Sequence, residues 1–549
     1  MDYILKTVKI IALLLFSQSI LSQHEILEKR AEKKIDSLFN FYHQDNHTGS
    51  IISIIQNEKT MYQNYKGLAN IEHQIPISNS TVFNIASVSK QFTTFLAMLL
   101  EEEGKLSFND DIRSYIKELK DLPNKITIRQ LANHTHGLPN PDELSQLKGI
   151  ETMNHKEVVE MLLNIKQINF EAGDKHVYNN TGYILLSIII ERVGKGSFKE
   201  QLEKKIFTPL GMNNTTVVDN KNTVIMDKAY SYNLIDNKYI NNPVKLSTIG
   251  SSGIFTTIED LGLWVKNYQT TTLGKREFYE RMQTITVLNS GKKTNYGLGL
   301  QHDNYKGIDV VFHGGGTESY RSYILHAPEH QLSLIFLSNK GGMLGLDILY
   351  NALEIILKDA IQEEKTDNTS NYKELKKLEG TYEMFPGVYY TFIAEKGNLY
   401  FQEYGTTDKT LLTILDKNVF NFPYIPHARF VFYNNRVDFH IADMTYPCTK
   451  TVLKSPKLEN INLQDFTGTY KSTEHNTSYN LVVKNNLLIA IHSNKSYDIV
   501  LKPLGKNSFY SNQSYFGKID FITNTNGTTI ESLKVSGQNL KNIVFKKIN

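Results

Sequence analysis

The C-terminal third of the chain contains an internal repeat, which restricts the folds open to that third more than any other feature. Gly380-Thr381-Tyr382 recurs as Gly468-Thr469-Tyr470, and three further pairs share the offset of 88 or 89 residues: Asn398-Leu399 with Asn486-Leu487, Leu412 and Leu415 with Leu501 and Leu504, and Asn418-Val419-Phe420 with Asn507-Ser508-Phe509. Short alternating apolar segments between turn residues predict that each copy is a small antiparallel β-barrel. Chance similarity between two asparagine-rich β segments is the alternative.

Two polar stretches divide the chain into its predicted domains. Residues 362–377 and 456–464 are poor in apolar side chains, as linkers are. They predict a region of mixed helices and strands at 23–362, a first barrel-like module at 378–455 and a second at 464–549. Neither module shows a cluster of titratable residues in its sequence, so we expect binding, lid or spacer roles for the modules.

The first 22 residues have the layout of a secretory signal peptide. Lys6 and Lys9 precede an apolar stretch at 10–16, and small and polar residues follow near Ser22. A membrane anchor is the alternative, but the stretch is shorter than the ~20 apolar residues of a spanning helix. We therefore expect a periplasmic or secreted protein with no membrane anchor in the mature chain. Cys448 is the single cysteine of the sequence, which excludes an intrachain disulfide.

Composition narrows the classes of partner. The sequence is 40% hydrophobic and 21% charged, as a folded soluble protein requires, and its formal net charge is +3. Since it contains no run of lysine and arginine residues, nucleic acid is not an expected partner. A small molecule or a peptide is the expected substrate.

The segment that begins at Phe83 carries the clearest chemical signal. Apolar residues recur at helical spacing from Phe92 to Leu100, and Gly104 lies where a helix would end. Ser87 should therefore open a buried helix, with Lys90 three residues later on the same face. The lysine amine can then hold the serine hydroxyl and accept its proton. An S-x-x-K pattern alone is weak evidence, because chance produces several in a chain of this length.

Two later segments supply the other groups that such a site needs. Tyr178 and Asn180 precede a second buried helical pattern and offer a hydroxyl for proton transfer and an amide for a substrate carbonyl. His313 is followed by three glycines, Gly314, Gly315 and Gly316, ahead of two apolar strand patterns. Glycines at a strand edge allow a substrate backbone to approach and leave N–H groups free for an oxyanion.

With these segments in this order, the sequence resembles the serine β-lactamase and DD-peptidase superfamily, in its class C, D-aminopeptidase and family VIII esterase branch. The resemblance covers roughly residues 30–360 and includes the segments at 131–139, 206–212, 253–261 and 296–299. It implies an α/β (α+β) fold, in which helices flank an antiparallel sheet and a mostly helical lobe forms the other wall of the active-site groove. The C-terminal modules resemble, more weakly, the lipocalin-like barrels of D-aminopeptidases.

The resemblance also implies a role for each matched residue. Ser87 attacks the carbonyl, Lys90 and Tyr178 share the general-base and general-acid steps, and Asn180 orients the substrate amide. His313 and the three glycines after it contact the substrate, and the N–H groups of Ser87 and Gly316 form the oxyanion hole. Neither a metal nor an organic cofactor is implied.

His313 is the main departure from the family pattern, which usually has lysine there. A neutral imidazole lacks the fixed charge that attracts a substrate carboxylate, so efficient β-lactam hydrolysis is less expected. Ala172 replaces a usual proline, which should alter a loop and not the chemistry. His134 and His136 suggest a metal site by their spacing, but His136 replaces a family serine and is expected to pack or to cap a turn.

These features favour hydrolysis of peptide or amide bonds, with substrates that contain D-amino acids or resemble cell-wall peptides. The D-aminopeptidase and DD-carboxypeptidase activities both fit. The alternatives are a family VIII-type esterase, a weak class C-like β-lactamase and a non-catalytic penicillin-binding sensor. The last is disfavoured because a binding module has no chemical need for Ser87, Lys90, Tyr178 and Asn180 together.

Overall fold

The computed structural model describes residues 29–40, 47–150, 153–163, 165, 168–220, 222–245, 249–342, 345–362, 372–423, 428–441, 444–453 and 461–548. The predicted signal peptide at 1–22 lies outside these residues, as does most of each predicted linker. Among the helices of the described ranges, none has the length and apolar character needed to cross a bilayer.

The strands before residue 362 form one large and three small antiparallel sheets. Their bounds are β1 (Ser50–Gln56), β2 (Lys59–Lys66), β3 (Leu68–Asn70), β4 (Ile75–Pro76), β5 (Phe83–Asn84), β6 (Thr216–Val217), β7 (Tyr232–Ile235), β8 (Lys238–Asn241), β9 (Ile254–Thr256), β10 (Gln301–Tyr305), β11 (Ile308–Thr317), β12 (Tyr320–Ala327) and β13 (Leu332–Ser338).

The helices of the same region fall mostly between β5 and β6. Their bounds are α1 (29–40), α2 (Ser89–Glu102), α3 (Ile128–Ala132), α4 (Pro141–Lys148), α5 (His155–Leu163), α6 (Asn180–Gly194), α7 (Phe198–Leu202), α8 (Thr208–Leu210), α9 (Ile258–Thr270), α10 (Arg276–Gln283) and α11 (Gly345–Ile356). Short 3₁₀ helices span Ala86–Val88, Ile112–Ser114, Lys117–Leu119 and Pro328–His330, and a π-helical turn spans Glu203–Phe207.

The large sheet has the strand order β10-β11-β12-β13-β1-β2 and is antiparallel throughout. All seven residues of β13 are buried, because helices cover both faces of the sheet. Helices α1 and α11 pack on one face, and α9 packs on the other. Helices α2 to α8 build a mostly helical second lobe beside the sheet. The predicted sheet flanked by helices, with its helical lobe, is therefore confirmed.

The first C-terminal module is a nine-stranded antiparallel sheet. After helix α12 (Tyr372–Leu378), its strands follow the order β17-β16-β15-β14-β22-β21-β20-β19-β18. Their bounds are β14 (Gly380–Phe385), β15 (Val388–Glu395), β16 (Asn398–Glu403), β17 (Thr410–Leu411), β18 (Thr413–Asp416), β19 (Val419–Asn421), β20 (Arg429–Phe432), β21 (Arg436–Ile441) and β22 (Met444–Thr451). The two edge strands are separated in the chain by Leu412 alone, so the sheet curls into a nearly closed barrel.

The second module is a closed eight-stranded barrel, preceded by a 3₁₀ helix at Leu463–Phe466. Its strands are β23 (Gly468–Ser472), β24 (Thr477–Lys484), β25 (Leu487–Ile491), β26 (Ile499–Pro503), β27 (Ser508–Tyr510), β28 (Lys518–Thr523), β29 (Ile530–Ser536) and β30 (Ile543–Lys547). Strand β26 pairs with β25 through its first half and with β27 through its second half. In the first module, two short strands take the place of β26: β17 pairs with β16, and β18 pairs with β19.

The repeated Gly-Thr-Tyr segment has the same structure in both modules. Gly380 and Gly468 begin equivalent strands with φ angles of 140° and 130°, which favour glycine. The hydroxyl groups of Tyr382 and Tyr470 each donate to the carbonyl four residues earlier, at 3.0 Å. The prediction of two barrel-like modules is thus confirmed. The exact domain boundaries remain predictions.

The second barrel docks on helix α4 of the N-terminal region. The Tyr479 hydroxyl donates to the Leu147 carbonyl at 2.9 Å, and Asn539 donates its backbone N–H and its side-chain amide to Glu143 at 2.8 and 2.7 Å. One hydrophobic cluster runs from α2 and the helical lobe into this barrel, whereas the first barrel has its own cluster. The module farthest along the chain therefore contacts the site-bearing lobe.

Candidate functional site

Ser87 lies in a 3₁₀ turn, Ala86–Val88, that leads directly into helix α2. Ala86 has a φ angle of 44°, which an L-residue adopts only at an energetic cost. The Asn84 side chain compensates in part, because its Oδ1 accepts the Ala86 N–H at 2.8 Å. The turn presents Ser87 as a half-buried side chain among buried neighbours. The sequence correctly predicted that this serine begins a buried helix.

Strands β11 and β12 hold this turn from the other side. The Ser322 hydroxyl donates to the Ile85 carbonyl at 2.7 Å. A Cβ atom on Gly315 would lie 2.3 Å from the same carbonyl oxygen and 2.3 Å from Ser322 Oγ. Only glycine fits at 315, which explains one of the three consecutive glycines. Gly314 is buried beside it, and Gly316 is exposed at the end of the strand.

Lys90 is fully buried and connects three elements at the serine. Its Nζ donates to Ser87 Oγ at 2.9 Å, to Asn180 Oδ1 at 2.8 Å and to the Ser251 carbonyl at 2.9 Å. Three acceptors match the three N–H bonds of an ammonium group. When neutral, the same amine has a lone pair beside the serine hydroxyl, which is the geometry that general-base catalysis requires.

Tyr178 and Asn180 flank the N-cap of helix α6. The cap residue Asn179 accepts the Thr181 N–H at 2.8 Å and donates its side-chain amide to the Leu138 carbonyl at 2.6 Å. This fixes the direction of both neighbours, because the cap is buried. The Tyr178 ring lies 4.9 Å from Lys90 Nζ, so the predicted serine, lysine, tyrosine and asparagine meet at one place. Their catalytic and binding roles remain predictions.

His313 is buried, and both of its ring nitrogens are engaged by protein atoms. Nδ1 lies 2.6 Å from the Gly314 carbonyl, which can only accept, so Nδ1 carries the proton. The Tyr296 hydroxyl lies 3.0 Å from Nε2 and donates to it. Burial and the nearby charge of Lys90 lower the pKa of His313 to about 3. The ring is therefore neutral, and the expected direct contact with substrate stays a prediction.

Two further histidines line the back of the site. The His134 ring packs 4.3 Å from the Tyr178 ring, and burial lowers the pKa of His134 well below its usual value. His136 accepts the Leu138 N–H at 3.0 Å through Nδ1, the turn-capping role that the sequence favours. Across the described ranges, no three histidine, cysteine, aspartate or glutamate side chains are grouped as metal ligands would be.

Asp142 joins the site although its sequence context did not single it out. It is the second residue of α4, and its Oδ2 accepts from Asn180 Nδ2 at 2.6 Å. The side chain has exposed surface within the groove, but the surrounding protein raises its pKa, while the Asn180 hydrogen bond and the Lys90 charge oppose that rise. A negative charge at this helix start is also favoured by the helix dipole.

Asn180 consequently bridges two charged groups. Its Oδ1 accepts from Lys90 and its Nδ2 donates to Asp142. The Asn140-Pro141-Asp142 segment is a helix-start signal, so sequence reasoning could have placed a carboxylate at a helix N-terminus there. Its position beside Asn180 depends on packing of α4 against α6. Sequence reasoning also missed the Ser251 carbonyl. No sequence pattern marks it, because every residue has a backbone carbonyl.

Comparison with known proteins finds relatives of the N-terminal region, which carries the site. A family model described as Beta-lactamase matches residues 31–355. Penicillin-binding protein 4* of Bacillus subtilis (strain 168) is 28% identical over 334 residues, which are 57% of this chain and 73% of that protein. A D-aminopeptidase of Gluconobacter oxydans (strain 621H) is 26% identical over 300 residues. This match covers 53% of the chain and 55% of that relative, so the chain spans about half of its length.

Solved structures share the fold. The octameric penicillin-binding protein homologue from Pyrococcus abyssi has a TM-score of 0.57 and 22% identity, and the match covers 85% of this chain and 99% of that one. The D-amino acid amidase from Ochrobactrum anthropi SV3 has a TM-score of 0.52 and 21% identity, covering 60% of this chain and 99% of that one. The first of these matches extends well beyond the site-bearing region.

Proposed function

Because the chain belongs to the beta-lactamase family and is thereby a serine hydrolase, we propose that it cleaves the first amide bond of peptides or amides that begin with a D-amino acid. The observation that carries this proposal is the Asp142 carboxylate on Asn180, in a site where residue 313 is a neutral, fully buried histidine. The carboxylate attracts a substrate ammonium group, and the His313 ring supplies no positive charge for a substrate carboxylate. The preference for D-residues rests on the relatives named D-aminopeptidase.

In the proposed reaction, Ser87 Oγ attacks the carbonyl carbon while its single proton passes to the Lys90–Tyr178 pair, one member of which is deprotonated beforehand. The developing oxyanion is stabilised by the N–H groups of Ser87 and Gly316. The C–N bond then breaks, and the amine leaves with the transferred proton. Water attacks the resulting ester, which releases the amino acid and restores Ser87. Lys90 Nζ, 2.9 Å from Ser87 Oγ, is within reach of the first proton transfer.

Asn180 explains how substrate and Asp142 interact. Asn180 Nδ2 has two N–H bonds, and one of them donates to Asp142. A substrate carbonyl that accepts from the other N–H lies next to the Asp142 carboxylate, which then faces the α-ammonium group beside that carbonyl. An amino-terminal substrate thus gives Asp142 a partner of opposite charge, whereas an N-acylated substrate places a neutral amide there.

The test compares D-alanyl p-nitroanilide with its N-acetyl derivative. Wild-type protein should prefer the free amine, and Asp142→Asn should lower kcat/KM for it by about tenfold while changing little for the acetylated compound. Asp121→Asn, at an exposed aspartate after the 3₁₀ helix Lys117–Leu119, is the matched control. Equal use of both anilides by the wild type, or faster turnover of nitrocefin or p-nitrophenyl acetate, would favour the β-lactamase or esterase alternatives.

Ser87 itself is tested by covalent labelling. Intact-protein mass spectrometry after exposure to a fluorophosphonate should show one adduct on wild-type protein and none on Ser87→Ala. Turnover by the variant should fall by at least ~10³-fold, because the nucleophile and its proton acceptor act as a unit. An unlabelled wild-type protein would instead support the non-catalytic binding protein.

We also propose that the protein is exported and that residues 1–22 are removed. The supporting observation is the order of charged, apolar and small residues in that segment. Cell fractionation and N-terminal sequencing should find a chain that begins near residue 23 outside the cytoplasm. A cytoplasmic chain that retains Met1 would contradict export.

A further inference from the structure

A cavity of about 310 Å³ lies between the second barrel and the N-terminal region. Pro139, Leu144 and Asn169 form the wall contributed by the N-terminal region, and residues of β23, the turn after it and the start of β30 form the other wall. Its volume is within the range of small-molecule sites. Ser87, Lys90, Tyr178 and Asn180 do not line it, so the cavity is distinct from the proposed catalytic groove.

The barrel wall of this cavity is positively charged. Lys471, Lys541 and Lys546 line it, and all three have exposed side chains. Within the part of the chain that the structure describes, none of the three forms an ion pair with a carboxylate. Glu474 is the acidic residue of the lining. Three lysine ammonium groups around one cavity repel one another, and an anion between them removes that repulsion.

A buried histidine in the lining points to a bound ligand independently of the lysines. His475 is 7% exposed, and its Nε2 has no hydrogen-bond partner among the described residues. The closest carboxylate oxygen, on Glu474, is 3.9 Å away, which exceeds hydrogen-bond distance. Burial and the charge of Lys148 lower the pKa of His475 to about 4, so the ring is neutral. An unsatisfied buried nitrogen is costly unless something else binds it.

We propose that this cavity is a second binding site, which takes a small anion bearing carboxylate or phosphate groups. The exposed lysines supply charge at the rim, and His475 supplies a buried hydrogen bond that fixes one ligand oxygen. Because the ligand would contact both α4, through Leu144, and the barrel, its binding would stabilise the docking of the barrel on α4. The proposal does not depend on the substrate proposed for Ser87.

The test is calorimetric titration of the full-length protein with citrate and, separately, with inorganic phosphate at matched ionic strength. Wild-type protein should bind at least one of them. The double variant Lys541→Gln/Lys546→Gln should bind about tenfold more weakly or worse, since two charge-assisted contacts are lost. His475→Phe should weaken binding without changing the charge of the rim. Lys506→Gln, at an exposed lysine of the same barrel outside the cavity, is the matched control and should bind like the wild type.

The two probes separate the two ligand chemistries. Binding of citrate alone identifies a carboxylate site, and binding of phosphate alone identifies a phosphate site. Failure of both probes to bind would overturn the proposal, as would equal affinity of the double variant and wild-type protein. Fluorophosphonate labelling of Ser87 at the wild-type rate shows that each variant is folded, because none of these residues belongs to the catalytic site.

Discussion

At the scale of single residues, the position of the nucleophile depends on a glycine of the large sheet that is far away in the sequence. Gly315 contacts the Ile85 carbonyl, and Ile85 is two residues before Ser87. Ala86 between them already has an unfavourable φ of 44°. The turn is therefore held by its neighbours and not by its own preference. A side chain at 315 would force the backbone of this turn to move.

Gly315→Ala should lower the free energy of unfolding by about 1–3 kcal/mol, the usual cost of overpacking. It should also slow fluorophosphonate labelling of Ser87. Gly316→Ala is the control for stability, because the nearest atom to its added Cβ is the flexible end of Arg321 at 3.4 Å. The measurement is thermal unfolding of both variants, and Gly315→Ala should unfold at the lower temperature. Equal unfolding temperatures would show that the turn is not held through Gly315.

At the scale of elements, helix α4 connects the candidate site to the second barrel. Asp142 contacts Asn180, and the next residue, Glu143, accepts two hydrogen bonds from Asn539 of the barrel. Burial raises the pKa of Glu143 to about 7. A titratable group at an interdomain contact makes the stability of that contact depend on pH near neutrality.

Between pH 4.5 and 7 the folded protein retains the proton on Glu143 and the unfolded chain has lost it. Folding stability should therefore decrease as the pH rises through this window. The shift corresponds to roughly 3 kcal/mol, since each pKa unit is worth about 1.4 kcal/mol. Glu143→Gln should reduce this pH dependence when unfolding is measured at pH 5 and pH 8. Glu160→Gln, an exposed glutamate of α5, is the control, and an identical pH slope in Glu143→Gln would refute the assignment.

Sequence patterns predicted those elements whose signals are local. The buried helix after Ser87, the helix after Tyr178 and Asn180, and the repeated Gly-Thr-Tyr strands all follow from spacing and from helix or strand periodicity. The contacts of Asp142 with Asn180 and of Glu143 with Asn539 join residues 38 and 396 positions apart in the chain. No local pattern encodes such pairs. The same applies to the contact of His313 Nε2 with the Tyr296 hydroxyl, since the two residues are 17 positions apart.

At the scale of the whole molecule, the order of the domains along the chain differs from the way in which they pack together. The second barrel shares a hydrophobic cluster with the helical lobe, although the first barrel separates the two in sequence. The first barrel has its own main cluster, which includes Tyr382, Phe392 and Phe430, and it meets the second barrel in a smaller cluster that joins Tyr389 to Tyr510. Regions that share a core tend to unfold together, and regions with separate cores tend to unfold separately.

Scanning calorimetry should therefore resolve two transitions. One belongs to the first barrel and the other to the N-terminal region together with the second barrel. A variant that weakens docking, Asn539→Ala, should lower the second transition temperature and leave the first unchanged. A single transition, or equal shifts of both in Asn539→Ala, would show that the first barrel unfolds with the rest.

The pairing of β1 with β13 bears on how the chain folds as it is made. Ser50 lies opposite Ser338, so β1, which pairs with β2 on one side, waits for its other partner, made almost 300 residues later. At synthesis rates of roughly 5–20 residues per second, this wait lasts from ~15 s to about a minute. Each barrel, in contrast, pairs strands that follow one another closely and can close soon after it emerges. For that interval, the unpaired edge of β1 is open to pairing with a strand of another chain.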